Sequence, residues 1–212
     1  MLAEKAARHE TGDIQALIKA EKTRLARKAR VLKEKLNKRQ RFLRGLFSGG
    51  TLCYEAQVIW KDMLATPVHS NAPLPGGQSL TNSTKSIGNT AVDLGEEEFT
   101  VGRPHPMIDY DLRIRRLLQE ARDPETAVIL LDVVLGYGAH PNPAGELTPA
   151  IQQARDLAGK AGRELIVVAS VTGTEGDPQG LRHTVSTLEG TGVIVCDSNA
   201  AAARLSGMIV SL

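Results

Sequence analysis

Aromatic side chains make up only 3% of the 212 residues, so Leu, Ile, Val and Ala must pack whatever core forms. The two cysteines, Cys53 and Cys196, are 143 positions apart and lack the close spacing of a zinc knuckle or a redox pair, so both read as ordinary core thiols. No apolar run approaches the roughly 20 residues of a membrane span, and the start, MLAEKAARHE, has no apolar centre of the secretory kind. A soluble cytoplasmic protein is the expectation. No two histidines, cysteines or carboxylates stand at metal-ligand spacing, so no metal is expected either.

What is present is unevenly spread. Residues 1–45 hold 14 Lys and Arg against 5 Asp and Glu, a net of +9, whereas the remainder holds 12 against 19, or −7. Within the basic part, residues 12 to about 40 contain no proline and place Ile18, Leu25 and Leu32 seven apart, with Ile14, Ala29 and Leu36 beside them. That spacing predicts one long amphipathic helix whose thin apolar seam needs a partner surface: its own domain, a second copy or another subunit. No aromatic residue interleaves Arg24, Arg27, Lys28, Lys35, Lys38 and Arg39 to stack on bases, so a nucleic-acid partner is not expected.

From Arg41 the pattern changes to alternating strand and helix. Continuous apolar runs at 42–47, 90–94, 127–135, 165–171 and 193–196 alternate with helical stretches at 51–64, 106–121, 148–161, 178–189 and 198–210. Fully apolar strands separated by helices indicate a parallel sheet covered on both faces. The expectation is an α/β, flavodoxin-like, five-stranded doubly wound sheet over 41–212, preceded by a basic connector or docking segment, 1–40. Residues 66–90, rich in Pro, Gly, Ser and Asn, read as an irregular insertion, with VHSNAPL as a short extended piece at the sheet edge.

In such a sheet the ligand crevice lies beyond the carboxyl ends of the strands. After the first strand stands Ser48-Gly49-Gly50-Thr51, a tight turn that opens a helix, with Thr51 as expected N-cap and bare N–H groups suited to a small carboxylate or phosphate. The loop after the second strand carries Asp93, Arg103 and His105; the loop after the third carries Gly136, Tyr137, Gly138, His140 and Asn142; the fourth gives Gly173 and Thr174. His105 and His140 are the candidate proton-transfer residues, and Arg103 the candidate charge clamp. Asp177-Pro178 and Ser198 read as helix starts.

The segments RGLFSGGTLCYEA, SNAPL, DLGEEEFTVGRPHPMID and LLDVVLGYGAHPNPA, in this order, resemble the FdrA family of the succinyl-CoA synthetase superfamily over about residues 40–210. The resemblance implies a CoA-ligase fold and acyl, acyl phosphate or carbamoyl transfer, including the carbamoyl transfer from oxamate assigned to some FdrA-like proteins of purine and allantoin breakdown. It also implies CoA or a nucleotide, bound with domains or partner subunits that carry the CoA-binding fold, and a homo- or hetero-oligomer. Family members carry such domains ahead of this one; this chain is expected to be one piece of a split enzyme or a truncated product. GRPHP and YGAHPNP differ from the glycine-flanked phosphohistidine loop of succinyl-CoA synthetase, which speaks against phosphohistidine chemistry. The alternative role is a non-catalytic assembly module that docks through the basic helix.

Overall fold

A computed structural model describes residues 11–211; the first ten residues of the 1–40 segment lie outside the described residues. One seven-stranded, wholly parallel sheet organises the chain. The elements run α1 (Thr11–Lys33), β1 (Phe42–Phe47), α2 (Gly50–Lys61), β2 (Val68–Ser70), β3 (Gln78–Ser79), β4 (Asn89–Asp93), α3 (Glu97–Thr100), α4 (Asp111–Arg122), β5 (Thr126–Val134), α5 (Pro143–Lys160), β6 (Ile166–Thr172), α6 (Leu181–Gly190), β7 (Ile194–Cys196) and α7 (Asn199–Ser211). The strand order is β3-β2-β4-β1-β5-β6-β7. The five expected strands keep the flavodoxin order, with the chain reversing direction at β1. The two extra strands both come from the 66–90 insertion. At three and two residues they are too short to leave a hydrophobic period, although VHS falls where the extended piece was expected.

Alternation along the strands divides the core in two. Leu46, Val92, Ile129, Leu131 and Val167 face α4, α5 and α6, where Leu117, Leu147, Ile151 and Leu188 are buried. Leu43, Phe47, Ala91, Val128 and Leu130 face the opposite layer, in which α2 contributes Cys53, Ala56 and Trp60, and α7 contributes Ala201, Ala202, Leu205 and Ile209. Small residues on α7 let a further layer approach. Leu25 and Ala29 of α1 are buried in this same cluster, so the α1 seam meets its own domain.

Several expected helix limits shift, each for a local reason. α1 ends at Lys33, short of residue 40, because bonds from Lys35 N to Leu32 O and Leu36 N to Lys33 O tighten the last turn. The Asn37 side chain then accepts from Arg39 N–H and turns the chain. Helix α4 begins at Asp111 instead of 106, since residues 101–110 form successive turns around Pro104 and Pro106. Helix α5 begins five residues early, at Pro143, capped by Asn142, and it runs through Pro149. Helix α6 begins at Leu181 after Gly180 at φ 70°, not at Pro178. Asp177 is therefore no N-cap; its carboxylate accepts from the backbone and hydroxyl of Thr174. Ser198 does cap α7, accepting from Ala201 N–H at 3.1 Å.

Candidate functional site at the carboxyl edge of the sheet

Register sets one row of groups across the sheet crest. Phe47 of β1 lies opposite Asp93 of β4, and Asp132 of β5 stands one step beyond the Leu46–Leu131 pair. Directly after this row β1 turns into α2. Gly49, extended at φ −170° and ψ 161°, is the N-cap residue; the first turn of α2 has neither a side-chain cap nor an acidic residue. Thr51 is thus inside the first turn and exposed, correcting its expected role as N-cap. Its backbone N–H still belongs to the uncapped set that points out of the helix end, where partial positive charge gathers.

Beneath the turn lies a buried ionic anchor. Ser48 donates its N–H to Asp132 Oδ1 at 2.8 Å and its hydroxyl to Asp132 Oδ2. Arg113, 1% exposed, pairs with the same carboxylate at 2.9 Å and lies 5.0 Å from the Tyr110 ring centre. Asp132 is fully buried, so its charge is held by this one guanidinium and the Ser48 donors. The Ser48 hydroxyl is spent on the anchor and fixes the glycine turn. Neither Asp132 nor Arg113 was among the expected site residues. A carboxylate inside AVILLDVVL was the available signal, because a charge in an apolar strand needs a partner.

A second group converges on Gly95. A Cβ there would lie 2.7 Å from Ser48 O, 2.9 Å from His105 Nε2 and 3.1 Å from Asp93 Oδ1, so only glycine leaves the space for these groups to meet. Gly95 N–H donates to Asp93 Oδ1 at 2.8 Å. Asn71, in the SNAPL segment, clasps the Asp93 backbone at 2.9 Å on both its N–H and its carbonyl. Asp93 is 2% exposed, and burial pushes its carboxyl above the ordinary carboxylate range, against the pull of the Gly95 N–H. His105 accepts Met107 N–H at Nδ1, 3.2 Å away, which leaves the proton of the neutral ring on Nε2, facing the Gly95 space.

The remaining expected residues occupy other positions. His140 is in the neighbouring loop, joined to His105 through Met107, whose carbonyl accepts His140 N–H at 2.9 Å. Its ring packs edge-on to Tyr110 at 5.2 Å, and its Nδ1 accepts Asn142 N–H. Asn142 caps α5 by accepting Gly145 N–H. Gly136, at φ 137°, has both backbone groups held by the Gln179 amide, while Gly138 is in open space. Gly173 packs on Leu135, whose side chain a Cβ would meet at 2.6 Å, and Thr174 is engaged with Asp177. Arg103 lines a separate opening with Pro104, Asp109, Asp111 and Arg115, so it does not join the α2 turn.

Over the turn lies an open cavity of about 590 Å³, lined by Gly50, Thr51, Tyr54, Ala72, Pro73 and Glu96. Among the described residues no lysine or arginine lines it, and its one charged side chain is Glu96, so the donors over the turn are backbone N–H groups alone, a set that does not suit the several phosphates of CoA or of a nucleotide. Cys53, fully buried behind the turn, is pushed up by burial to about 12 and is inert as a nucleophile. Among the described residues no cluster of three His, Cys, Asp or Glu is placed to hold a metal, and no helix is long and apolar enough to cross a membrane.

A doubly wound parallel sheet with an uncapped glycine-turn helix at the strand reversal defines an α/β domain of the flavodoxin-like class. Residues 46–209 match the CoA-ligase family model, and the chain belongs to that family. It is 42% identical over 168 residues to the uncharacterized protein YahF of Escherichia coli K12; the match covers 79% of this chain and 32% of YahF. The crystal structure of PH0766 from Pyrococcus horikoshii OT3 shares the fold at a TM-score of 0.51 and 10% identity, over 84% of this chain and 36% of that one. The chain thus spans about a third of each relative's length.

Proposed function

We propose that this chain is the ligase-like domain of an acyl-CoA synthetase-related enzyme of the FdrA kind, and that it presents one carboxylate or phosphoryl group of the reactant to the first turn of α2. The reactions that suit such a site are transfers of acyl, acyl phosphate or carbamoyl groups, oxamate among the substrates, in which negative charge develops on an oxygen next to preorganised backbone donors. The uncapped start of α2 at the point of strand reversal carries this reading. CoA or a nucleotide would be held by other domains or subunits, since no cation among the described residues lines the cavity over the turn. A docking module working through the α1 seam has less support, because Leu25 and Ala29 are already buried against this domain.

Thermal-shift and calorimetric titration with inorganic phosphate, carbamoyl phosphate, oxamate and CoA tests the reading, with Gly49→Val as control. Nothing lies within 4 Å of a Cβ at Gly49, and its φ suits a β-branched residue, so the variant should fold with a loss of about 1 kcal/mol or less. It should lose at least tenfold in affinity for whichever anion the parent binds. Equal binding by Gly49→Val, or no response of the parent to any of the four, would refute the anion site. Gly50→Val is a poorer control, because its Cβ would stand 3.1 Å from Asp93 Oδ2.

A further inference from the structure

The end of α2 faces an acid, and the placement of that acid is unusual. Asp93 Oδ1 is bonded to Gly95 N–H, whereas Oδ2 has no hydrogen-bond partner among the described residues and lies beside Gly50, the first residue of α2. Asp93 is 2% exposed, so a buried carboxyl has one oxygen left beside the first residue of α2, 3.1 Å from where a Cβ on Gly50 would stand. Two like charges this close exclude one another. A carboxylate at Oδ2 repels the incoming oxyanion; a carboxylic acid donates a hydrogen bond to it.

The surroundings set which form prevails. On the 94–96 loop Glu96 adds negative charge, and on β5 Asp132 adds more, although Arg113 of α4 neutralises most of it. From α2 the Cys53 thiol is neutral. The loop 103–110 brings the opposing influence, His105, whose Nε2 proton faces the space shared with Asp93 Oδ1. Among these side chains His105 is the one that favours the ionised acid, its Nδ1 being held by Met107 N–H and its Nε2 left toward Asp93.

We propose that Asp93 is the proton-exchanging group of this site, that His105 positions it, and that a small oxyanion enters the first turn of α2 together with one proton taken up on Asp93 Oδ2. The proposal rests on the anion reading above and adds to it. The balance is simple: solvent supplies the proton, the O–H bond forms on Oδ2, and the anion accepts that hydrogen bond along with the α2 N–H groups. During transfer the same proton is available to the oxygen that gains charge, which makes Asp93 the group to hand it over and His105 a residue that acts through Asp93.

Oxamate is the clean probe, because its carboxylate stays ionised throughout the pH range used; inorganic phosphate is the second arm, separating carboxylate from phosphoryl recognition. Calorimetry of the whole chain in buffers of different ionisation enthalpy, from pH 5 to 8, reads both affinity and proton uptake. The expected result is uptake approaching one proton at the upper end and a fall in affinity of up to tenfold per pH unit there. Asp93→Asn, which keeps an acceptor for Gly95 N–H and turns an amide donor to the anion, should bind without pH dependence and more tightly than the parent at pH 8. His105→Gln should move the pH midpoint upward without abolishing binding, a change that a purely structural histidine would not produce. Binding by the parent without proton uptake, or an unchanged pH profile in Asp93→Asn, overturns the proposal and leaves the anion site standing. No binding of either probe at any pH, in parent and Asp93→Asn alike, removes both. Should Asp93→Asn fail to fold, proton uptake by the parent alone decides.

Discussion

At the scale of single residues the Ser48–Asp132–Arg113 anchor should be the costliest feature to break. Arg113→Met leaves the fully buried Asp132 without its cation, a change that costs about 3–5 kcal/mol when one member of a buried pair is removed. Urea denaturation should show that loss, and a loss under 1 kcal/mol would mean that water reaches Asp132. Asp93 behaves in the opposite sense. Burial raises its folded pKa above the ordinary 3.8, so the folded chain holds a proton that the unfolded chain releases. The stability from this proton is present below 3.8 and disappears as pH rises through the folded value. Asp93→Asn should therefore stabilise the chain at pH 7–8 and lose that advantage below pH 3.8, as followed by melting temperature against pH. The glycine turn and His105 were legible in the sequence because glycine pairs and a proline-bracketed histidine are local signals. Their convergence with Asp93 on Gly95 was not, since it depends on a ten-residue loop folding back over the sheet edge. Arg103, two residues before His105, falls in a different opening.

At the scale of elements, the five expected strands were legible, the two short ones of the 66–90 insertion left no hydrophobic period, and several helix starts shifted although the one at Ser198 held. β5 is a nine-residue, almost wholly buried run that no loop imitates, whereas a helix start is decided by one cap and a few backbone bonds. α5 extends five residues ahead of its expected start, and Pro149 lies inside it at the seventh helical position. The structure tolerates it: Pro149 is exposed, and the cost falls on the bond its missing N–H would have made to Gly145 O. Pro149→Ala restores that bond and should stabilise the chain by about 1–3 kcal/mol in urea. Loss of stability would show that the proline stiffens the unfolded chain more than it weakens the helix. α1 makes the converse case, for its seam was legible but the surface it covers was not. Leu25 is 2% exposed against α7, and Leu25→Ala should cost about 2–4 kcal/mol.

At the scale of the whole molecule, two cores share one sheet, and this should make unfolding a single event. Each central strand buries alternate side chains in both cores, so neither layer can be stripped away while the sheet persists. Trp60, the only tryptophan, reports on this. It is fully buried in the α2 and α7 layer, tilted against Phe47 with ring centres 6.1 Å apart, and its indole N–H donates to Ala203 O at 2.8 Å. Leu147 of α5 lies on the other side of the sheet, fully buried in the other core. Leu147→Ala should lower stability by about 2–5 kcal/mol, and the Trp60 fluorescence midpoint should fall by the same amount as the far-ultraviolet circular dichroism midpoint. Leu25→Ala should likewise move both signals together, because α1 enters the core that holds Trp60. A Trp60 transition that ignored Leu147→Ala would show two layers unfolding independently. An early loss of helical signal confined to Leu25→Ala, with Trp60 unmoved, would make α1 a separate unit that fastens on after the sheet is built.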